Sequence, residues 1–599
     1  MNRLWFDWDC KSGTWLKRHT KLALEACLGF GLSLVILLYA FSPFRWEPCF
    51  IFQNQTEPLA VITILSWIGC AGILIKQVYT SGLLKVVTLI DLLLLACLVY
   101  LLLQLIFYPV DKEYLFTITC LAAAYFLFHH IPKQLAAGLL YLLPVLVVVQ
   151  IIYGYNRLAY PWQGISDITG AFGNTGIFGG FVAMGFVAAL GLILSAKQPV
   201  IRIALGILLV PLTIQLLYSQ SRAAWVATIA GALMLLWPSF RKLTKLKAVI
   251  LLSALLIVAV LFAPKLYHFK KDSADGRLLM WTVSWNMIKE KPLTGFGTSG
   301  FQQNYLLYQG EYFKDHPDSP WADLADDTSS PFNEWLKIGV EQGILGLLFV
   351  AGIIFLAFSH TANPSVLQAV LATLIGFSCF SYPFEFVAFQ LLGVFCLASM
   401  ANTQTSVVIS SSRNLLKNSV MKLPVVCLTV ALTGFVLFSS RNYYADVKKW
   451  NQITRSYSSS NDRKIAELQT LYPVLKCNAL FVLLYARAVH NAGRDSEAIP
   501  LWEEAKALYP SSQTLLLLGE LYEQTGEHAK ALEAWETASH IKPALFAPHY
   551  HMAKLYFKLH DYERAKKKAG EIVNKKIKIS SPKINRMKRE MLILYECDY

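Results

Sequence analysis

Up to about residue 440 the chain is a succession of long apolar runs separated by short polar loops. From Arg441 onward it is polar, rich in Glu and Lys, and helical in period. A spanning helix needs about 20 mostly apolar residues. Thirteen runs qualify, several near the lower limit, beginning near residues 22, 59, 86, 115, 135, 176, 201, 223, 248, 336, 365, 385 and 422. The pattern predicts an all-α fold. A polytopic transmembrane bundle of 12–13 spans over residues 1–440 precedes a soluble helical domain over residues 441–599. The first run follows a 21-residue head with Asp7 and Asp9 and has no small-residue cleavage site, so it reads as a retained span.

Self-similarity in the polar part refines this. Gly493, Ala498, Trp502, Ala505 and Pro510 recur 33 residues later as Gly526, Ala531, Trp535, Ala538 and Pro543. Tyr522 and Ala531 recur 34 residues later as Tyr556 and Ala565. Small, aromatic and Pro positions at that period match a tetratricopeptide repeat. Two good units, a degenerate third and a divergent helical pair over 441–476 are expected. Such stacks offer a concave face to a protein partner, or serve only as a cap on the membrane domain. The basic stretch Arg564 to Arg589 reads as a solvated face, with anionic lipid or glycan as the alternative contact.

Composition agrees: 55% of the 599 residues are hydrophobic and 16% charged, against about 25% charged in soluble domains. The net charge of +15 resembles a nucleic-acid signal, but its distribution points elsewhere. With a cytoplasmic N-terminus and alternating spans, inner loops hold sixteen Lys and Arg, and short outer loops only Arg45, Lys112, Arg157 and Arg222. That bias sets topology, so no nucleic-acid partner is expected. The segment 264–333 is too long to count and lies outside. An odd span number carries the C-terminal domain outside too, through the last run, Met421 to Ser439.

Among the 11 cysteines no CxxC or Cys/His cluster occurs, so no metal or redox motif is supported. Cys477 and Cys597 could pair in an oxidising compartment or remain free. Asp7-Trp8-Asp9 precedes the first span on the cytoplasmic side and is no metal-binding DxD. Gly295-Phe-Gly297-Thr-Ser-Gly300 has the letters of a dinucleotide motif but lacks the strand–turn–helix context; a tight turn at the membrane fits better.

Chemistry concentrates on the outer face. Arg222, in Ser219-Gln-Ser221-Arg222, sits at the boundary of two spans, where an arginine is costly and marks a functional site. In the long loop Leu278, Trp281, Trp285 and Ile288 share a helical face that could lie on the membrane, setting Arg277 at headgroup depth. Two arginines there suit a lipid-linked diphosphate, because guanidinium bonds phosphate oxygens in a bidentate way.

The ordered set of Gly173-Asn174, Ser219-x-Ser221-Arg222, Gly276-Arg277…Trp281…Pro292…Gly295-Phe-Gly297, and Asn333-Glu334-Trp335-Leu336…Glu341-Gln-Gly343-Ile-Leu-Gly346 resembles the O-antigen ligase and O-antigen polymerase superfamily. That group includes bacterial O-linked oligosaccharyltransferases, and the likeness runs from about residue 60 to 400. It implies a metal-independent, cofactor-free GT-C-type glycosyltransferase of the bacterial inner membrane. Such an enzyme transfers a glycan from undecaprenyl diphosphate to an acceptor hydroxyl on the periplasmic side. By motif the two diphosphate-binding arginines map to Arg222 and Arg277, with Asn174, Ser219, Ser221 and Asn333 as substrate contacts. The acceptor is lipid A-core, a protein or a growing polysaccharide. A non-catalytic envelope-assembly scaffold is the reading from another class.

One position departs from the family pattern. The residue before Asn333 is usually His, the candidate base, and here it is Phe332. An acceptor hydroxyl still benefits from a base. His316, Asp315, Asp318, Asp326, Asp327, Glu334 and Glu341 are in range, and Glu341 holds the motif's own acidic position. Glu385, in Tyr382-Pro-Phe-Glu385, could bind sugar hydroxyls or pair with an arginine.

Overall fold

The computed structural model describes residues 29–41, 56–80, 87–108, 111–157, 164, 167–244, scattered positions from 246 to 268, and 270–359, 365–402, 419–455, 461–578 and 580–596. The readings at Asp7–Asp9, most of the spans expected near residues 22 and 248, and Cys597 lie outside those residues.

The described chain is helical. In the first part, α1 is Gly29–Ala40, α2 Thr56–Thr80, α3 Leu89–Phe107, α4 Lys112–His129, α5 Lys133–Leu139 and α6 Leu142–Asn156. They are followed by α7 Thr175–Ser195, α8 Pro199–Tyr218, α9 Arg222–Phe240, α10 Lys271–Glu290, α11 Gly300–Asp315, α12 Glu334–Phe358, α13 Val366–Ser378 and α14 Val387–Ala401. Among the described residues eight helices are long and apolar enough to cross a membrane, with α5 and α6 counted as one. Three shorter apolar helices (α1, α13 and α14) accompany them. The expected span near 115 is α4, whose polar start at Lys112 and Glu113 leaves it outside that set.

Helix α7 is the hub. Fourteen of its residues are buried, because small residues let neighbours close in, as membrane packing requires. A Cβ on Gly180 would stand 2.3 Å from the Phe377 ring, and one on Gly185 2.6 Å from Val147. Outer helices show the lipid their apolar faces, as Ile106, Val200, Ile207 and Phe355 do.

Loop ends sort into two groups, as alternating spans require. At one end Gln77 meets His130, Asn402 donates to the Ile131 carbonyl, and Lys422 lies over Tyr79. At the other, Asn174 meets Tyr382, Arg222 meets Lys270, and Lys337 meets Glu385.

The segment expected as a long loop is mostly two helices. In α10, Leu278 and Trp285 are exposed, while Trp281 and Ile288 turn inward. Trp281 donates to the Pro331 carbonyl, and Ile288 packs on Gly339. The shared face therefore divides, because α12 and the 331–332 turn compete with lipid for it.

Helix α15, Ser419–Arg455, is one 37-residue helix. It runs through the 440/441 boundary without a break and leads into antiparallel pairs. These are α16 Asn461–Leu475, α17 Ala479–Asn491, α18 Asp495–Leu508, α19 Ser512–Gln524, α20 His528–Ile541, α21 Ala547–Lys558, α22 Tyr562–Asn574 and α23 Pro582–Glu596. The sequence period reappears as geometry. Gly493, Gly526 and His560 turn the chain with positive φ, and Arg494, Glu527 and Asp561 then donate back to Val489, Tyr522 and Tyr556. Trp502 and Trp535 are fully buried, and a Cβ on Gly519 would strike the Trp535 indole at 2.2 Å. His560 holds the left-handed turn in the unit expected to be degenerate. Cys477 forms no disulfide among the described residues.

Candidate functional site

Three helix N-termini meet at one end of the bundle. Asn174 opens α7, its Oδ1 accepting from the Gly176 and Ile177 amides at 2.8 and 3.1 Å. Ser221 opens α9; its Oγ accepts from Ala224 and donates to the Gly176 carbonyl, both at 3.3 Å. Asn333 opens α12, accepting from Trp335 and Leu336 at 3.0 and 3.2 Å. Asn and Ser are strong N-caps because a short side-chain oxygen satisfies orphan amides. Each terminus carries roughly half a positive charge.

Side-chain cations join them. Arg222 donates from Nη2 to the Lys270 carbonyl at 3.3 Å, and Lys270 donates from Nζ to the Gln220 carbonyl at 3.4 Å. Arg277 stands 5.4 Å from the centroid of the Phe332 ring. Burial, and then the charge of Arg222, bring the Arg277 guanidinium down to about 10. Burial, Arg222 and Arg277 lower Lys270 in the same way. Cations that depress one another in a partly buried place favour an anion between them. Gln220 (φ 49°) and Phe332 (φ 53°) are both left-handed non-glycines, each costing about 1–2 kcal/mol. That strain is held at the two turns that deliver Arg222 and Phe332.

Tyr382 ties the parts together. Its hydroxyl accepts from Asn174 Nδ2 at 3.2 Å, and its ring meets Phe332 edge-on at 4.8 Å. Burial and the Glu385 charge, opposed by Arg277, push its phenol up to about 12, so it stays a neutral hydrogen-bonding group.

Beside this cluster lies a cavity of about 530 Å³ between α3, α4 and α12, with Glu113, Ser329, Glu334, Lys337, Glu341 and Glu385 among its lining. Glu334 Oε1 accepts from the Phe384 amide at 2.8 Å, and Lys337 pairs with Glu385 at 3.1 Å. Glu341 is buried, with Gln342 Nε2 at 3.5 Å from its carboxylate.

The cavity wall depends on a break in α12. Gly343 adopts φ 66°, ψ −164°, and the carbonyls before it turn to the Pro292–Gly297 loop. Phe296 and Gly297 donate to Val340 and Glu341 at 2.8 and 2.9 Å, while Ile344 donates to Pro292 at 2.8 Å. Tyr100 donates to the Gln342 carbonyl at 2.7 Å. The glycine-rich turn is thus a backbone clasp on the break.

The structure brings Arg222, Arg277, Asn174 and Asn333 together, with Glu341 and Glu385 in the adjoining cavity. Ser219 and Ser221 are buried; Ser219 donates to the Leu216 carbonyl and Ser221 is a cap. Both shape the turn. His316 lies elsewhere, exposed at the end of α11, stacked on Tyr312 and bonded to its carbonyl. Glu385 pairs with Lys337. Lys270 and Lys337 went unread in the sequence, where each looks like an ordinary basic residue beside a span.

Residues 204–351 match the family model described as O-antigen ligase. The matched stretch contains Arg222, Lys270, Arg277, Phe332, Glu334 and Glu341, whereas Asn174, Tyr382, Glu385 and the C-terminal helices lie outside it. No curated protein matches the chain. The similarity of residues 204–351 to O-antigen ligases supports glycan transfer by a multi-pass helical membrane protein.

Proposed function

We propose that this chain transfers a glycan from undecaprenyl diphosphate to an acceptor hydroxyl at the periplasmic face of the inner membrane. The observation that carries this reading is the convergence of Arg222, Lys270 and Arg277 on the N-termini of α7, α9 and α12. As the bond from the sugar's anomeric carbon to the diphosphate oxygen breaks, that oxygen gains negative charge. Fixed cations and helix termini already aimed there stabilise it without reorganising. The acceptor oxygen bonds to the anomeric carbon and its proton passes to a base. Glu341, at the motif's acidic position and in the lining of the adjoining cavity, is the base proposed for this step. A good leaving group lowers the demand on that base.

Ligation to lipid A-core is the reading the family likeness favours. Protein O-oligosaccharyl transfer and polysaccharide polymerisation use the same donor chemistry. The 33–34-residue period supports a tetratricopeptide-type solenoid in the periplasm. The test is Arg222→Ala and Arg277→Ala, each checked for membrane expression, with surface polysaccharide and glycoproteins run on gels. Loss of lipopolysaccharide ladders with normal glycoproteins is the expected result. Unchanged glycoconjugates in both variants would sink the enzyme reading.

A further inference from the structure

The C-terminal helices do not stand apart from the site. One apolar core runs from Leu279, Val283 and Met287 of α10 and Val340 of α12 through Phe301 and Tyr305 of α11 to Leu515 of α19 and Ala538 and Ile541 of α20. Gly310 lets α11 and α20 meet, since a Cβ there would stand 3.3 Å from Ile541. Polar contacts sit on that core. Gln309, buried, donates to the Ile541 carbonyl at 2.7 Å and to the Asp326 carbonyl at 3.3 Å. Asp326 pairs with Lys542. Asp327 takes two bonds from the first residue of α19, the Ser512 amide at 2.8 Å and its hydroxyl at 2.7 Å.

Asp327 precedes Phe332 by five residues, and the stretch between them is held at Thr328, Ser330 and Pro331. Thr328 Oγ1 donates to the Ser330 carbonyl and accepts from its amide. The Pro331 carbonyl accepts from Trp281 at 3.0 Å. Phe332 then meets Arg277, and Asn333 caps α12. Phe332 is left-handed, a conformation that persists only where its surroundings over-determine it. One anchor of that segment lies in the C-terminal domain.

We propose that Asp327 is a positioning residue: through Ser512, the C-terminal domain holds the Phe332–Asn333 turn against Arg277 in the geometry that transfer requires. This rests on the proposed glycan transfer. The domain is then an integral part of the site, and a ligand that shifts α19 would shift the turn.

The test uses the full chain. Asp327→Ala, Asp327→Asn, Ser512→Ala and the double alanine variant are compared for membrane level, melting temperature, affinity of the purified protein for undecaprenyl diphosphate, and glycoconjugate output. Asp327→Ala is expected to lower output about tenfold, the factor for roughly 1.4 kcal/mol of lost positioning. Affinity should fall by no more than the loss expected of Phe332→Ala, since Asp327 acts through that turn and Arg222 and Lys270 remain. Asp327→Asn, which still accepts from the Ser512 amide, restores most of the output. The double variant is no worse than Asp327→Ala, because the two residues act through one another. Unchanged output in Asp327→Ala, additive losses in the double variant, or a loss that follows melting temperature in all variants would overturn the proposal. If Arg222→Ala and Arg277→Ala abolish output while Asp327→Ala matches the parent, this inference alone fails.

Discussion

Arg277 holds its guanidinium over the ring of Phe332 at 5.4 Å, so the residue at the position read as departing from the family pattern touches an arginine proposed to bind the diphosphate. A ring there orients Arg277 without neutralising it, which a carboxylate would do. Phe332→Ala is expected to weaken binding of undecaprenyl diphosphate by about tenfold, in line with a partly desolvated cation–π contact. Phe332→Tyr keeps the ring face and should stay within about threefold. Titration of the purified full chain measures both, and an Ala variant that binds like the parent would remove Phe332 from the site.

The glycines of the motif are not equivalent. A Cβ on Gly343 would stand 2.3 Å from the Leu293 carbonyl oxygen, and one on Gly295 2.5 Å from the Val340 oxygen and the Glu341 carbonyl carbon. Both have positive φ and the obstacle is backbone, so nothing flexible can yield. Gly343→Ala and Gly295→Ala should each cost about 2 kcal/mol or more and lower the melting temperature by several degrees. Gly276, part of the same motif by sequence, meets nothing within 4 Å inside α10. Gly276→Ala should be neutral or raise stability by up to about 1 kcal/mol. Thermal unfolding of the three variants in detergent separates clasp from bystander.

Much of this was legible beforehand, and the reasons differ by residue. Apolar runs near span length announce the bundle because the bilayer thickness sets their length. Arg222 and Arg277 stood out in the sequence because an arginine at the membrane edge is expensive, and the fold sets them in one cluster. Lys270 did not: beside Lys271 it reads as an ordinary surface pair, and only the fold sets it against Arg222. Ser219 and Ser221 were read as substrate contacts, and the fold adds that Ser219 ends α8 and Ser221 caps α9. The Gly295–Gly300 stretch was read as a tight turn at the membrane. Its docking on the α12 break depends on Gly343 taking positive φ inside an apolar helix, which no periodicity reveals. The C-terminal period was plain, but its seat on α11 rests on Gln309, Asp326 and Asp327, spread over a segment read as loop.

Lys270 makes binding pH-dependent. Its pKa is lowered from the usual 10.5 by burial and by the charges of Arg222 and Arg277. A bound diphosphate favours the protonated form, so binding takes up protons, and affinity falls as pH rises through the lowered value. Arg277, near 10, adds the same sign of effect only at higher pH. Undecaprenyl diphosphate affinity is therefore expected to decline with rising pH before the usual lysine value is reached. Lys270→Arg, whose guanidinium keeps its proton in that range, should flatten the decline. A parent profile already flat would exclude Lys270 from diphosphate binding.

The contacts between α11 and α20 also constrain topology. Gln309 cannot donate to Ile541, nor Asp327 accept from Ser512, across a bilayer, so the C-terminal helices and residues 300–333 occupy one side. Asp111, at the start of α4, accepts from Tyr443 and Asn478, adding a third element to that side. Lys133 follows Ile131 at the opposite end, where Asn402 binds. His316→Cys, Lys583→Cys and Lys133→Cys each replace an exposed residue. Reacted with a membrane-impermeant maleimide on intact spheroplasts, with the native thiols of the parent chain as background, the first two should label together. Lys133→Cys should label only after the membrane is permeabilised. If His316→Cys and Lys583→Cys differed in accessibility, the seat of the C-terminal helices on α11 would not exist in the membrane, and the role assigned to Asp327 would go with it.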